Sequence, residues 1–517
     1  MNRTLDQSII YQIYPASFYD SNGDGIGDLE GIRKKIGYLE SLGVDLVWLN
    51  PIFESPFLDG GYDVTDFRRI AKRYGTMRDF SRLVSDLHAR GMRLLLDLPI
   101  GHTSIFHPWF RQSQKKKRNA YSDYYIWTDS NFVSENRMLS GVSERDGCVA
   151  VNYYSHQPAL NYGYSEIGDS SWKIHCSDER LRPLRQEIVD IMKFWLAAGA
   201  DGFRIDLACS LVKPIGTEAS QNALCRLWRE MIGTVRETYP SAVFLAEWGD
   251  PVRSVGQCGF DADYFSHERA AYNELFRNEP GTNVLSALEK GYNYFSEAEK
   301  GTICNLNRDA VECQNAIRGK GYYCIPTGYH DVPRLSVGKS ASQLKVIFAF
   351  LMTYKHLPLI YYGDEIGIRY NPSVSKEGGY NRTGARTPMQ WDESGNRGFS
   401  ENKRPYLPVG RERRISVSAQ DREENSLLHC VKALSALRKK HAALGYGGDL
   451  EILNEENGGY PFVYRRSLGN ESVTVLLNPG KNQKTVPLDY SEFLLGSGSR
   501  AGQGKIILDS ESFAIVK

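Results

Sequence analysis

The sequence predicts an α/β fold: a (β/α)8 (TIM) barrel with a small inserted domain after the third strand and a C-terminal all-β sandwich domain. Short apolar runs alternate with amphipathic helical runs, and eight such apolar runs occur before residue 370. Most of these runs are apolar on both faces, which is typical of parallel strands covered by helices. Strand–helix repetition on this scale indicates a (β/α)8 barrel.

Each predicted barrel strand is a short apolar run between helical segments. The eight runs span residues 8–18, 44–53, 92–99, 200–206, 242–248, 261–266, 322–331 and 358–367. Five stretches between them have the apolar spacing of amphipathic helices, and the first ends at Gly43, a residue that commonly caps a helix. These stretches span residues 29–43, 77–91, 184–199, 222–240 and 341–356.

Two regions depart from this alternation and divide the chain. Residues 104–172 are polar and rich in Tyr, and a connection of this length indicates an inserted domain. After a last helical stretch at residues 426–441, short strands follow at 449–453, 462–467, 472–478 and 505–508. We therefore expect a barrel formed by residues 1–103 and 173–444, an inserted domain at 104–172 and a C-terminal β domain at 445–517.

Composition and charge exclude several classes of protein. The formal net charge is +1, which gives no reason to expect a nucleic-acid or anionic-membrane partner. The nine Cys residues form no C-x-x-C pair, so we expect free thiols in a reducing compartment. The longest apolar run, residues 344–354, is shorter than the roughly 20 residues of a membrane span, and no signal peptide is recognisable. We expect a cytoplasmic protein, either a monomer or a weak homo-oligomer.

Charged side chains follow the predicted strands at the end where barrel enzymes place their sites. Asp206 and Glu247 end two neighbouring strands, and Asp331 ends a third. Cleavage of a glycosidic bond needs one carboxylate and one carboxylic acid on either side of the bond. Arg204 lies two residues before Asp206, so both side chains point to the same side of the strand and the cation favours ionised Asp206. A structural ion-pair network is the alternative, but three strand ends together favour catalysis.

The loop "DSNGDGIGD", residues 20–28, carries oxygen side chains at alternate positions. An EF-hand needs a Glu at its twelfth position, and Gly31 stands there, so a calcium sensor is excluded. The remaining set is typical of a structural Ca²⁺ site, with Mg²⁺ as the alternative. The expected ligands are Asp20, Asn22, Asp24 and Asp28 through their side chains and Ile26 through its carbonyl.

The stretches "GFRID", "AEW", "HD" and "DLPIGHTS" resemble the four motif regions of the α-amylase superfamily, glycoside hydrolase family 13. "GYDVTDF" and "ARTPMQWD" are similar to the oligo-1,6-glucosidase and α-glucosidase branch. The resemblance implies a retaining double displacement in which Asp206 is the nucleophile, Glu247 the acid/base and Asp331 the third carboxylate. It also implies that His102, His330 and Arg204 hold the glucosyl unit.

The same resemblance implies a pocket that is closed behind the terminal sugar. An Asp and an Arg form this wall in exo-acting members, and here we expect Asp63 and Arg382, with Tyr62 as a stacking platform and Arg386 as the alternative Arg. A surface ion pair is the competing interpretation. The chain departs from the family at four positions: Gly101, Ala159 and Tyr329 stand where Asn, Asp and Asn are usual, and Leu207 stands where Val, Thr or Ala is usual.

We expect a retaining exo-acting α-glucosidase that hydrolyses short α-glucosides, with a small oligosaccharide as its substrate. A transglycosylase or isomerase of the trehalose synthase or sucrose isomerase type has the same glucosyl-enzyme intermediate and stays open at this stage. A non-catalytic sugar-binding homologue is the alternative from another class, although the three carboxylates Asp206, Glu247 and Asp331 are all present.

Overall fold

The eight predicted strands close into a parallel barrel in the computed structural model, which describes residues 5–133, 137–141 and 143–517. Each strand pairs in parallel with its neighbours in chain order, and the last pairs with the first. The (β/α)8 class is thus confirmed. The strands are β1 (Ile10–Ile13), β2 (Leu46–Leu49), β3 (Arg93–Leu98), β4 (Gly202–Ile205), β5 (Val243–Ala246), β6 (Ala262–Tyr264), β7 (Tyr322–Pro326) and β8 (Leu357–Tyr361).

Helices surround the barrel and bury their apolar faces on it. The first predicted helix is divided in two at Lys35, and α7, α8, α9 and α11 lie in segments for which the sequence predicted none. The helices are α1 (Leu29–Lys34), α2 (Ile36–Ser41), α3 (Met77–His88), α4 (Pro108–Ser113), α5 (Arg182–Ala197), α6 (Glu218–Arg236), α7 (Pro251–Ser254), α8 (Ala270–Phe276), α9 (Cys304–Ile317), α10 (Ala341–Thr353), α11 (Val417–Asp421) and α12 (Leu427–Lys440).

The connection from β3 to α5 carries little regular structure besides α4. Its described residues form one short antiparallel pair, Met138–Leu139 with Val149–Ala150, and a small core of their own around Ile126 and Tyr164. A backbone bridge joins His102, just after β3, to Ala159. This places the expected inserted domain directly beside the mouth of the barrel, whereas its boundaries stay a prediction.

The C-terminal strands form one antiparallel sheet, because the last strand is long enough to pair with three others. Phe513 and Ile515 belong to the same apolar core as the barrel, and Ile506 and Leu508 enclose a second, smaller core. The expected C-terminal β domain is therefore confirmed. Its strands are β9 (Asp449–Asn454), β10 (Phe462–Leu468), β11 (Glu471–Asn478), β12 (Lys484–Pro487), β13 (Phe493–Gly502) and β14 (Lys505–Val516).

The thiols differ in part from the expectation. Cys225 on α6 and Cys258 after α7 are joined by a disulfide, because the two helices bring their Cα atoms within 4.4 Å. The other seven Cys are free. None of the described helices is both long enough and apolar enough to span a membrane.

Candidate active site

The carboxyl ends of the strands surround one cavity of about 330 Å³ at the mouth of the barrel. It is small for a ligand pocket, since such pockets measure roughly 300–1,000 Å³. Every predicted catalytic carboxylate contributes to its wall. The lining residues are Asp59, Tyr62, His102, Arg137, Tyr153, Asp206, Leu207, Glu247, His267, Glu268, Val284, Leu285, Asp331 and Arg382.

Arg204 connects the carboxylates of three neighbouring strands. Its Nη1 donates to Asp97 Oδ1 at 2.6 Å and to Asp206 Oδ1 at 2.9 Å, and its Nη2 lies 2.7 Å from Glu247 Oε2. The guanidinium is fully buried, so these contacts are screened little by water. Because Arg204 and Asp97 are opposite residues of the β3–β4 ladder, the barrel register itself forms this network.

Asp206 and Glu247 both contact the guanidinium of Arg204, so the two carboxylates lie in one buried site. Burial, followed by the nearby Glu247 charge, raises the pKa of Asp206, and Arg204 opposes this rise. Two carboxylates in one buried site favour the state that holds a single proton. A nucleophile and an acid require that distribution, with one group charged and the other neutral.

Glu247 is held by three donors. Its Oε2 accepts from the backbone N–H of Leu207 at 2.8 Å and from Arg204, while its Oε1 accepts from Tyr264 Oη at 3.0 Å. Leu207 reaches this position with a φ of 44°, which is rare for a branched residue. Oε1 accepts one hydrogen bond, so it has room for the proton that an acid must carry.

Asp331 lies in a separate cationic environment. Its Oδ1 accepts from Arg382 Nη1 at 2.9 Å and from Arg386 Nη2 at 2.8 Å, and His330 Nε2 lies 3.4 Å from its Oδ2. Burial alone would raise the pKa of Asp331, but His330 and the two arginines together lower it. Asp331 is therefore charged and paired before any sugar enters.

Three of the predicted sugar-binding side chains, Tyr62, His102 and Arg382, line this cavity. His102 Nδ1 accepts from Asn152 Nδ2 at 3.0 Å and its Nε2 donates to the Tyr62 carbonyl at 3.1 Å. Burial lowers the pKa of His102 to about 4, so the ring is neutral at pH 7. Tyr62 stacks on His330 with ring planes 8° apart. One face of Tyr62 is thereby covered by His330.

The structure corrects the expected partner of Arg382. Arg382 Nη2 donates to Asp59 Oδ1 at 3.2 Å, whereas Asp63 is fully buried and accepts from Ser55 Oγ, Leu58 N and Asp59 N. Asp63 thus holds the loop and Asp59 faces the cavity. Arg386, the alternative, contacts Asp331 instead.

Several lining residues were not singled out from the sequence, because they lie on loops without a recognisable motif. Arg137 and Tyr153 come from the β3–α5 connection, His267 and Glu268 follow β6, and Leu285 follows α8. Asp59 had one usable signal. It stands four residues before Asp63 in the same Gly-rich stretch, "LDGGYD", and is the other acidic residue of that stretch, although it was not singled out from the sequence.

The predicted calcium loop has suitable donor types but no convergent set of ligands. Asp20 Oδ1 accepts from the backbone N–H of Asn22 and Gly23, and Asp28 Oδ1 accepts from Gly31 N and caps α1. Among the residues that the structure describes, no three acidic, His or Cys side chains are grouped as metal ligands. The loop oxygens are satisfied largely by the loop itself, so the metal stays a prediction.

Comparisons with known proteins agree with this geometry. A family model described as alpha amylase, catalytic domain, matches residues 12–447. The chain is 33% identical to the oligo-1,6-glucosidase of Parageobacillus thermoglucosidasius, a match that covers 91% of this chain and 90% of that protein. It is 30% identical to the trehalose synthase of Thermus thermophilus, covering 91% of this chain and 50% of that protein.

A similar solved structure has the same architecture over nearly the whole chain. The trehalulose synthase MutB from Pseudomonas mesoacidophila MX-45 superposes with a TM-score of 0.83, at 26% identity, covering 99% of each chain. The family model alone covers most of the 517 residues. The chain therefore belongs to the α-amylase family and is a glycoside hydrolase.

Proposed function

We propose that this protein is a retaining, exo-acting α-glucosidase that releases glucose from the non-reducing end of short α-glucosides. The names of its relatives include both hydrolases and isomerases, so the finer assignment depends on the pocket of this chain. The substrate that fits the neutral overall charge and the polar pocket is a small oligosaccharide.

The observation that carries this proposal is the ion pair between Arg382 and Asp59. Arg382 also donates to Asp331 and to Tyr154 Oη at 2.8 Å, so four polar groups are joined at one wall of the cavity. A charged wall of this kind leaves room for a terminal sugar and blocks a chain that would continue past it. An endo-acting enzyme needs a cleft that is open at both ends.

The chemistry that we propose uses only side chains of the cavity. Asp206 attacks the anomeric carbon as the bond to the leaving oxygen breaks, and Glu247 transfers its proton to that oxygen. Glu247 then removes a proton from water, and this water displaces Asp206 from the same carbon. Arg204, which contacts both carboxylates, holds them in register through the two steps.

Product analysis tests the assignment. We expect purified enzyme to release glucose from maltose, isomaltose or both, with the α configuration retained, and to release no internal fragments from starch. Release of mainly internal fragments would refute the exo assignment. The Asp206→Asn variant is the control, because unchanged activity in that variant would point to a non-catalytic sugar-binding protein with a contaminating hydrolase.

Transfer to another sugar is the second candidate activity. The structural similarity to a trehalulose synthase extends over 99% of both chains, and an isomerase uses the same first step. The two outcomes differ only in whether water or a sugar hydroxyl attacks the intermediate. Accumulation of trehalose from maltose, or of isomaltulose or trehalulose from sucrose, in place of glucose would establish the transferase.

A further inference from the structure

Tyr329 and His267 form a pair at the cavity that the proposed chemistry does not use. The buried Tyr329 hydroxyl accepts from the backbone N–H of His267 at 3.0 Å and also contacts its Nδ1. Tyr329 follows β7 and directly precedes His330, whereas His267 follows β6 and lines the cavity.

The hydrogen bonds assign the tautomer of His267. The Tyr329 oxygen accepts the backbone N–H, and Nδ1 is the one acceptor that its own proton reaches among the described residues, so we assign Nδ1 as the acceptor. In a neutral ring the remaining proton is on Nε2. Burial lowers the pKa of His267, although Glu268, Asp331 and Glu247 oppose this, so the neutral form is the one to consider.

The Nε2–H group of His267 is thus a hydrogen-bond donor that is available to a ligand. His267 is partly exposed, and the side-chain hydrogen bond that its ring makes among the described residues is the one at Nδ1. The Asn273 side chain donates to the His267 carbonyl at 2.7 Å and holds the backbone from the other side. The contact of Tyr329 with Nδ1 therefore orients the ring. Because His267 lines the cavity, we infer that its Nε2–H group is available there.

The position of His267 identifies which part of a substrate it meets. Asp59 lies on the loop after β2 and its partner Arg382 follows β8, and β6 is the strand opposite β2 in an eight-stranded barrel. His267 is therefore across the cavity from the closed wall. Tyr329 packs edge-on against Tyr264, whose hydroxyl donates to Glu247, so the pair lies on the acid's side, where the leaving sugar must sit.

We propose that His267 is a specificity-determining residue that donates Nε2–H to a hydroxyl of the leaving sugar, and that Tyr329 is the residue that positions it. The contact would favour sugar leaving groups over groups without hydroxyls. This inference rests on the proposed glucosidase function and deepens it. The recognised chemistry is a hydroxyl of the second sugar ring of a disaccharide.

The test compares two substrates that differ only in the leaving group. One is the disaccharide that the wild-type enzyme cleaves best, and the other is p-nitrophenyl α-D-glucoside, which has no sugar hydroxyl in that position. The readout is the ratio of kcat/KM for the disaccharide to kcat/KM for the aryl glucoside. We expect His267→Phe to lower this ratio about three- to tenfold, as the loss of one hydrogen bond predicts.

Two further variants separate the donor from the shape of the ring. His267→Gln retains an N–H donor near the Nε2 position, so we expect it to restore most of the ratio. Tyr329→Phe removes the hydroxyl that orients the ring, and we expect a fall of about threefold. Tyr323→Phe is the matched control, because Tyr323 is buried on β7, the strand that Tyr329 follows, and its hydroxyl accepts from Gln314 rather than from a residue of the cavity.

Each outcome decides the proposal. The proposal would be overturned if the ratio in His267→Phe stayed within twofold of the wild-type ratio, or if kcat/KM fell equally on both substrates. It would also be overturned if His267→Gln did not restore the ratio. An equal loss with a lowered melting temperature would show a purely structural role. If the wild-type enzyme released glucose from neither substrate, the proposed function itself would fail, and this is known before any variant is made.

Discussion

Arg382 and Asp59 form an ion pair at the closed wall of the cavity, with 3.2 Å between Nη2 and Oδ1. Arg382 also reaches Asp331 and is largely buried, so the pair cannot relax into solvent without opening the pocket. The consequences of this ion pair, and of four other features of the molecule, can be measured.

Removing the wall charge should impair substrate binding more than stability. We expect Asp59→Asn to lower kcat/KM on maltose or isomaltose about tenfold to a hundredfold, since a charged hydrogen bond to Arg382 is lost. Asp63→Asn is the matched control. Asp63 accepts three hydrogen bonds in the interior, so its loss should cost about 1–3 kcal/mol of unfolding free energy. Equal kinetic effects of the two variants, with no difference in stability, would contradict the corrected assignment.

Replacing the acid should affect substrates according to their leaving groups. We expect Glu247→Gln to lower kcat on a disaccharide about a hundredfold or more. On p-nitrophenyl α-D-glucoside, which needs little protonation, the first step should survive and a burst of nitrophenol should appear. Asp206→Asn removes the nucleophile and should show no burst. Stopped-flow absorbance distinguishes the two, and a burst in Asp206→Asn would exchange the roles.

Asp263 on β6 holds the backbone that follows Glu247. Its carboxylate accepts from the N–H groups of residues 248, 249 and 250 at 3.0–3.2 Å and from Ser254 Oγ at 2.7 Å. Burial raises the pKa of Asp263 to about 7. We expect Asp263→Asn to lower kcat about tenfold with a small change in KM, because the acid is displaced. Asp261→Asn, at the opposite end of β6, should lower stability and leave kcat unchanged.

Glu365 couples stability to pH far from the active site. It is fully buried, its Oε1 accepts from Tyr11 and Tyr38, and burial raises its pKa from 4.5 to about 7. Between these two values the unfolded chain loses the proton while the folded chain keeps it, so stability falls as the pH rises. We expect this cost to be complete above about pH 7.

The Glu365→Gln variant has no such proton to lose. The unfolding free energy of the variant minus that of the wild type should therefore be about 1–3 kcal/mol larger at pH 8 than at pH 4.5. Urea unfolding at both pH values measures this difference. If the variant and the wild type differed by the same amount at both pH values, Glu365 would not be the titrating group.

The predicted calcium site is tested by measuring the melting temperature rather than the activity. We expect a chelator to lower the melting temperature of the wild-type enzyme and added Ca²⁺ to restore it, with kcat unchanged below the transition. Asp24→Ala should abolish this response, and Asp24 is exposed, so the substitution itself should cost little. An identical melting temperature with chelator and with Ca²⁺ would refute the metal site.

The barrel strands could be predicted because each is a compact apolar run, and charged side chains at their ends are costly to bury without a function. From these two features, Arg204, Asp206 and Glu247 could be predicted to lie in one site. The helices α8 and α9 were missed because their buried faces mix apolar with polar side chains, Asn273 in α8 and Asn307 in α9. The disulfide between Cys225 and Cys258 depends on how α6 and α7 pack, which no spacing along the chain reveals.

The position of Asp59 rather than Asp63 at the cavity wall could not be predicted from the sequence. Both lie in the same short loop, and their side-chain directions depend on a turn with positive φ at Gly60 and Gly61. That turn directs Asp63 to Ser55 and leaves Asp59 to the cavity. Likewise His267 has no motif around it, and only the packing of β6 beside β7 brings it to Tyr329.

The ion network around the cavity has a consequence for inhibitors. Its anionic groups outnumber its cationic groups, so a neutral sugar rests in a field that favours positive charge. The transition state of glycoside cleavage carries such a charge. A protonated amine with the shape of glucose would imitate that charge permanently and compete with the natural substrate. The carboxylates are Asp59, Asp97, Asp206, Glu247 and Asp331, of which four are charged when Glu247 carries the proton that it transfers, and the three cations are Arg204, Arg382 and Arg386.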